Sequence, residues 1–302
     1  MVAASFAGTP KKKWRAGLIA NTPEYVAIIG PTASGKSRLA MSLAKKTGGE
    51  IIACDSVQVF RGFDIGSSKP TKKEQAEVRH HLLDVVGPKE TFDAGAYALW
   101  AKEAILAVAS KQKLPIVVGG TGLYLRALWG YGFHDLPRDV ALRQELELLT
   151  NEELYARLSA KDQMRAKQVH LNDRYRVLRS LEVALLTQKT FAENAQESAN
   201  LFAPSKVIFC NPAKELLAQR IADRVDEMMA QGWVEEVKRL LAEGCSLADK
   251  PMMAIGYREI CATLTGNLAM SQLRERIILS TRQYAKRQMT WFSKMKADIE
   301  IY

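Results

Sequence analysis

The chain has 302 residues, 47% of them hydrophobic and 25% charged, which is ordinary globular usage and excludes a disordered or fibrous protein. Lys and Arg number 43 against 33 Asp and Glu, a net charge of +10, which favours a polyanionic partner without choosing among nucleic acid, diphosphate and anionic membrane. No apolar run approaches the roughly 18 residues of a membrane helix, and Cys54, Cys210, Cys245 and Cys261 form neither a C-x-x-C pair nor a zinc-spaced cluster, so a reduced, cytoplasmic setting is expected.

Residues 1–22 read as a flexible basic tail, with the cluster Lys11–Arg15 inside it. Tyr25–Gly30 (YVAIIG) is an apolar run ending in glycine and reads as a buried strand. Ser37–Lys46 reads as a helix, Glu50–Cys54 as a second strand, Phe92–Ser110 as a helix and Leu114–Gly119 as a third strand. Short apolar strands alternating with helices predict an α/β fold, a parallel sheet with right-handed crossovers. From Val140 to about Gln188 the spacing is helical. Lys206–Cys210 is another strand, and Asn211-Pro212 is read as the cap and first turn of a long helix ending at Gly244. Residues 252–296 read as helical throughout. The expected organisation is a core of residues 23–133 and 202–302, interrupted by a helical insertion at 134–201.

Gly30-Pro31-Thr32-Ala33-Ser34-Gly35-Lys36-Ser37 fits G-x-x-x-x-G-K-[ST] in full and lies between a predicted strand and a predicted helix. Its backbone N–H groups converge on phosphate oxygens, Lys36 adds a point charge, and the Ser37 hydroxyl is placed for Mg²⁺. The loop implies a bound polyphosphate or diphosphate, not necessarily a nucleotide. The strand that commonly ends in a Mg²⁺-binding acid runs here into Gly119-Gly120-Thr121-Gly122 and carries none. The acid stands instead at Asp55, after the second strand, in the crevice where α/β sheets bind ligands.

Seven stretches together resemble the tRNA dimethylallyltransferases, in the bacterial form without a zinc finger. They are GPTASGKS (30–37), DSVQVFRGFDIGSSKP (55–70), HHLLD (80–84), GGTGLY (119–124), NDRYRVLRSLEV (172–183), GYRE (256–259) and QYAKRQMTW (283–291). The resemblance implies a phosphate-loop NTPase-like fold and transfer of a dimethylallyl group from dimethylallyl diphosphate to the exocyclic amine of the adenosine just 3′ of the anticodon. The phosphate loop would then hold diphosphate, with Mg²⁺ as cofactor. Asp55 matches the family's general base, Thr121 a position near the reacting groups and Arg224 the diphosphate-binding arginine, with Arg220 one turn earlier.

The same resemblance places the anticodon stem-loop against Ser56, Val57 and Gln58, which would read the adenine. Arg176 and Arg179 match RNA-contacting positions within the basic stretch that also holds Arg174. Gly256, Tyr257, Arg258, Lys286, Arg287 and Gln288 are further candidates for tRNA contact. A monomer is expected. His80, His81 and Trp291 are assigned structural roles, and Met228, Met229, Met252 and Met253 are assigned to the core. Phe60 stands where the family commonly has tyrosine, Ser67-Ser68 where it has Thr-Ala, and Met253 where arginine is frequent. The competing readings are a small-metabolite or nucleotide kinase on the same loop, an RNA-binding protein with a relic loop, and a transferase acting on free adenine nucleotide.

Overall fold

The computed structural model describes residues 23–130, 137, 139–196 and 202–302; the predicted basic tail lies outside them. Six parallel strands form one sheet in the order β3-β2-β4-β1-β5-β6. They are β1 (Val26–Ile29), β2 (Glu50–Cys54), β3 (His80–His81), β4 (Pro115–Gly119), β5 (Lys206–Cys210) and β6 (Ile299–Ile301). β2 and β4 are buried at all five positions, which is why they read as continuous apolar runs and not as alternating ones. The first core helices are α1 (Lys36–Thr47), α2 (Lys72–Glu77), α3 (Ala94–Ala109) and α4 (Gly122–Leu128). Ile28, Ile51, Ile116 and Val118 pack on Ala40 and Ala44 of α1, while Ala27, Ile29, Ile52 and Val117 face the larger core on the other side.

Five helices follow: α5 (Val140–Glu147), α6 (Asn151–Lys161), α7 (Gln163–Ala166), α8 (Arg174–Thr187) and α9 (Phe191–Gln196). They pack around their own cluster of Leu146, Leu154, Leu158, Ala166, Val169, Val177, Leu178 and Leu181. Thr150 and Glu153 close a capping box at the start of α6.

The chain then returns to the sheet through β5. The single long helix expected after it is two, α10 (Lys214–Ala230) and α11 (Trp233–Ala242), broken at Gly232, whose φ of 94° no continuing helix adopts. Asn211-Pro212 is not the cap either: Ala213 precedes the first turn, and Asn211 extends the sheet by donating its N–H to the Ile301 carbonyl at 2.7 Å. The last segment is also interrupted. α12 (Tyr257–Leu264) and α13 (Met270–Phe292) are separated by a turn at Gly266, and β6 follows. Met228 and Met252 are buried as expected and Met229 partly so, but Met253 is half exposed. The four cysteines are buried and unpaired. Among the described residues no helix is long and apolar enough to cross a membrane.

Candidate active site

Ile29, Cys54, Gly119 and Cys210 end four neighbouring parallel strands, so the loops that follow them meet along one edge of the sheet. The phosphate loop leaves β1 at its centre. Gly35 has φ 89°, accessible to glycine at little cost, and it aims the first N–H groups of α1 back into the loop. Ala33 is also left-handed at φ 60°, strain of the kind ligand loops retain. The loop partly ties itself: the Pro31 carbonyl accepts from Lys36 Nζ at 3.0 Å and from the Ser34 N–H at 3.3 Å. The Thr32 N–H is not turned to a ligand, because it donates to Gln288 Oε1 at 2.9 Å. Ser34 Oγ is buried with no partner among the described residues, a hydroxyl held ready inside the loop. Ser37 stands exposed on the first turn of α1.

Two arginines of α10 complete the cradle. A Cβ on Gly35 would lie 3.9 Å from an Arg220 guanidinium nitrogen, so Arg220 covers the loop. Arg224 lies close enough to Lys36 that its charge disfavours the ammonium. Burial, and then the Arg224 charge, push the Lys36 ammonium down to about 8, while Asp55 opposes the shift. Arg224 is itself lowered by burial and supported by Asp55 and Glu227. Asp223 accepts from Gln219 at 2.7 Å, and neither Arg220 nor Arg224 forms an ion pair among the described residues. An excess of desolvated positive charge beside a phosphate loop attracts a multivalent anion.

Asp55 closes a turn at the end of β2. Its Oδ1 accepts the Val57 N–H at 2.8 Å and the Gln58 N–H at 3.2 Å, which leaves Oδ2 outside those bonds. Thr121, at the start of α4, faces it from β4: its Oγ1 accepts the Ser56 N–H at 3.2 Å. The thiol of Cys54 reaches the Thr121 carbonyl at 3.8 Å. A group the sequence reading passed over lies beside them: burial, and then the Asp55 charge, push the Tyr284 phenol of α13 well up. Its signal was present: Tyr284, Gln288 and Trp291 fall at i, i+4 and i+7, one stripe of a helix.

The segments around this centre are braced by buried polar groups. Glu236 of α11, 7% exposed, accepts the N–H groups of Asp64 (3.0 Å), Ile65 (2.8 Å) and Gly66 (3.2 Å) and the Tyr257 hydroxyl (2.7 Å). It thereby shapes the DIGSSKP loop. Lys69 is a strut, bonded to the Phe60 carbonyl (3.0 Å), Asp64 (2.6 Å) and Asp84 (2.5 Å), which explains why DIGSSKP and HHLLD belong together. Gln58 spends its amide N–H groups on the Ser67 and Ser68 carbonyls, leaving its Oε1 outside those bonds. His81 bonds Glu50 at the opposite end of the strands, in line with a structural role.

Several expected tRNA contacts are corrected by burial. Tyr257 is fully buried against Trp233 and Phe63, and Gly256 is buried where a Cβ would fall 1.9 Å from the Trp233 ring, so neither meets solvent. Gln288 is likewise buried and bonded at both ends. Arg258 is exposed beside Glu259, and Lys286 and Arg287 are exposed on α13. On α8, Arg174 is tied to Asn151 and the Glu147 carbonyl, and Arg179 pairs at 2.7 Å with Glu182, a carboxylate with no exposure. Arg176 is the accessible one, 68% exposed with Asp173 at 2.8 Å.

A phosphate loop at the centre of a parallel sheet, with the site's carboxylate at the end of β2, on the far side of β4, defines a phosphate-loop α/β protein. The IPP transferase family model matches residues 58–295, and the chain belongs to that family. It is 44% identical over 284 residues to the tRNA dimethylallyltransferase of Geobacter metallireducens, covering 91% of this chain and 90% of the relative. A crystal structure of tRNA isopentenylpyrophosphate transferase from Staphylococcus epidermidis aligns at TM-score 0.66 and 35% identity, covering 92% of this chain and 93% of that one. A eukaryotic dimethylallyltransferase captured acting on tRNA aligns at TM-score 0.81 and 31% identity, covering 90% of this chain and 70% of that one.

Proposed function

We propose that the protein transfers a dimethylallyl group from dimethylallyl diphosphate to the N6 amine of the adenosine 3′ to the tRNA anticodon, releasing diphosphate. The observation that carries this reading is that Asp55, at the end of β2, and the phosphate loop, at the end of β1, share one edge of the sheet, with the Asp55 charge felt by both Lys36 and Arg224. The family membership and the tRNA-acting relatives support the acceptor.

In the reaction the allylic C–O bond breaks and its electron pair stays on diphosphate. Lys36, Arg224, Arg220 and the N–H groups from Ala33 to Ser37 stabilise the growing charge. The adenine amine forms the new C–N bond, and its proton passes to Asp55, whose Oδ2 is left out of the backbone bonds. The base has to leave the anticodon-loop stack to arrive there, and Gln58 meets its edge. Arg176, Arg258, Lys286 and Arg287 hold phosphates of the stem-loop.

Mg²⁺ fits the residues present. Among the described residues no group of three or more His, Cys, Asp or Glu forms a cation cage, and Mg²⁺ needs none, because it keeps its waters and binds through substrate phosphates and one or two protein oxygens. The Ser37 hydroxyl, exposed on the first turn of α1, would be that oxygen. The ion would supply further charge neutralisation of the diphosphate.

Labelled dimethylallyl diphosphate and unmodified tRNA test the reading. Label on the tRNA and stoichiometric diphosphate release are expected. No transfer, with ATP turnover on a small acceptor, would establish the kinase reading instead.

A further inference from the structure

Three successive backbone N–H groups, those of Asp64, Ile65 and Gly66, converge on the buried carboxylate of Glu236, which fills the anion nest they make. Its Oε2 serves Asp64 and Ile65, and its Oε1 serves Gly66 and the Tyr257 hydroxyl. Glycine is required at 66, since a Cβ there would run into the Trp233 indole and the Tyr257 ring. Trp233 and Glu236 stand at i and i+3 on α11, so ring and carboxylate seat the same stretch of loop.

The next two residues of that loop hold a side chain of the site. The Ser67 and Ser68 carbonyls accept from Gln58 Nε2 at 3.0 and 3.2 Å. Ser68 is left-handed at φ 46°, a conformation that persists only where its surroundings hold it. A side-chain amide owns two hydrogens, both on nitrogen, and its oxygen only accepts. With both hydrogens spent on the loop, Oε1 is the free end of Gln58. The Gln58 N–H donates to Asp55 Oδ1 at 3.2 Å, so this acceptor is fixed to the turn that carries the site's carboxylate. On adenine the exocyclic amine is the donor, and the ring nitrogens accept. An acceptor-only contact therefore selects the amine, whereas an amide turned round would set N–H₂ against N–H₂.

We propose that Glu236 is a positioning residue for base recognition: by seating residues 64–66 it sets the Ser67 and Ser68 carbonyls that hold the Gln58 amide with its oxygen free for the acceptor base. The inference rests on the prenyl-transfer reading, in which Gln58 meets the adenine edge. Glu236 itself touches neither substrate. It acts through the loop and through Gln58.

The test is a double-mutant cycle of Glu236→Gln and Gln58→Leu in single-turnover transfer, with tRNA affinity and melting temperature measured alongside. In Glu236→Gln an amide N–H₂ faces a backbone N–H whichever way it is turned. Its transfer rate is expected to fall about tenfold, the worth of one hydrogen bond, with tRNA affinity kept because phosphate contacts supply most of it. The double variant is expected to be no slower than Gln58→Leu, because both changes disable one device. Tyr257→Phe takes one bond from Glu236 and leaves the loop N–H groups paired, so it should melt earlier yet transfer at the parental rate. Gln58→Glu keeps acceptor oxygens and loses both donors, so it should be as slow as Gln58→Leu; it reads the same device even if Glu236→Gln does not fold. Glu236→Gln or Gln58→Glu at the parental rate, effects of Glu236 and Gln58 that multiply, or a Tyr257→Phe as slow as Glu236→Gln would overturn the proposal while prenyl transfer by the parent stands. A parent protein with no transfer at all would overturn both.

Discussion

Gln288 accepts the backbone N–H of Thr32 at 2.9 Å, and its amide nitrogen donates to the Gly120 carbonyl at 2.9 Å. One buried side chain from the penultimate element thus holds the phosphate loop and the β4 turn at a fixed separation. Its replacement by leucine would leave the buried Gly120 carbonyl unpaired, at about 1–3 kcal/mol, and free the partly buried Thr32 N–H at lower cost. A fall in melting temperature and a raised KM for dimethylallyl diphosphate are expected, with tRNA affinity little changed. Thermal melts and steady-state kinetics measure both.

The Lys36 ammonium sits at about 8 in the free protein, lowered by burial first and by Arg224 next. An anion in the cradle stabilises the charged form, so the value rises on binding. Diphosphate affinity is therefore expected to weaken as pH climbs through 8, and binding near pH 8 to take up protons. Calorimetry in buffers of different ionisation enthalpy reads that uptake, and Lys36→Ala should abolish most of it.

Glu50, buried at the far end of β2, bonds His81 at 2.7 Å and Lys113 at 2.8 Å. Although burial opposes ionisation, these partners hold its carboxyl down at about 2. A depressed folded value means stability present above the ordinary glutamate range and lost as pH falls from about 4.5 towards 2. The His81 ring, also lowered, by burial foremost, adds a slope of the same sign at higher pH. Urea midpoints measured against pH should fall steeply over the acid window in the parent and less so in Glu50→Gln.

The arginines of α8 divide into two kinds. Arg176 is exposed, so Arg176→Ala should weaken tRNA binding and reduce its salt slope by about one, with no change in melting. Arg179, at 2.7 Å, and Arg143, at 3.5 Å, share the fully buried Glu182. Arg179→Ala should therefore destabilise the packing of α5 to α8, by about 1–3 kcal/mol, because only the longer Arg143 pair is left to the buried carboxylate. Filter binding across a salt series and denaturant melts separate the two.

Much of the site was legible because its chemistry is local. The phosphate loop is eight consecutive residues, and Asp55 follows an apolar run that can only be a buried strand. What was missed is contact between distant segments. Tyr257 reads as a candidate for tRNA contact beside Arg258, and only the structure shows Glu236 bonded to it, 21 residues earlier in sequence. Gln288 reads as one more polar residue beside Lys286 and Arg287, yet the helix period turns it inward to Thr32 while they face out. The two-residue β3 and the solvent-facing β6 carry too little apolar pattern to be read as strands. The break at Gly232 hides inside a run whose helical periodicity resumes at once.

The most direct measurement is single-turnover transfer of a labelled dimethylallyl group to tRNA by the parent protein and by Asp55→Ala, with tRNA and diphosphate affinities measured on both. Transfer by the parent and a loss of about a hundredfold or more in the variant, with both affinities kept, is the predicted result. Undiminished transfer by Asp55→Ala would contradict the assignment of Asp55 as the proton acceptor beside the diphosphate cradle.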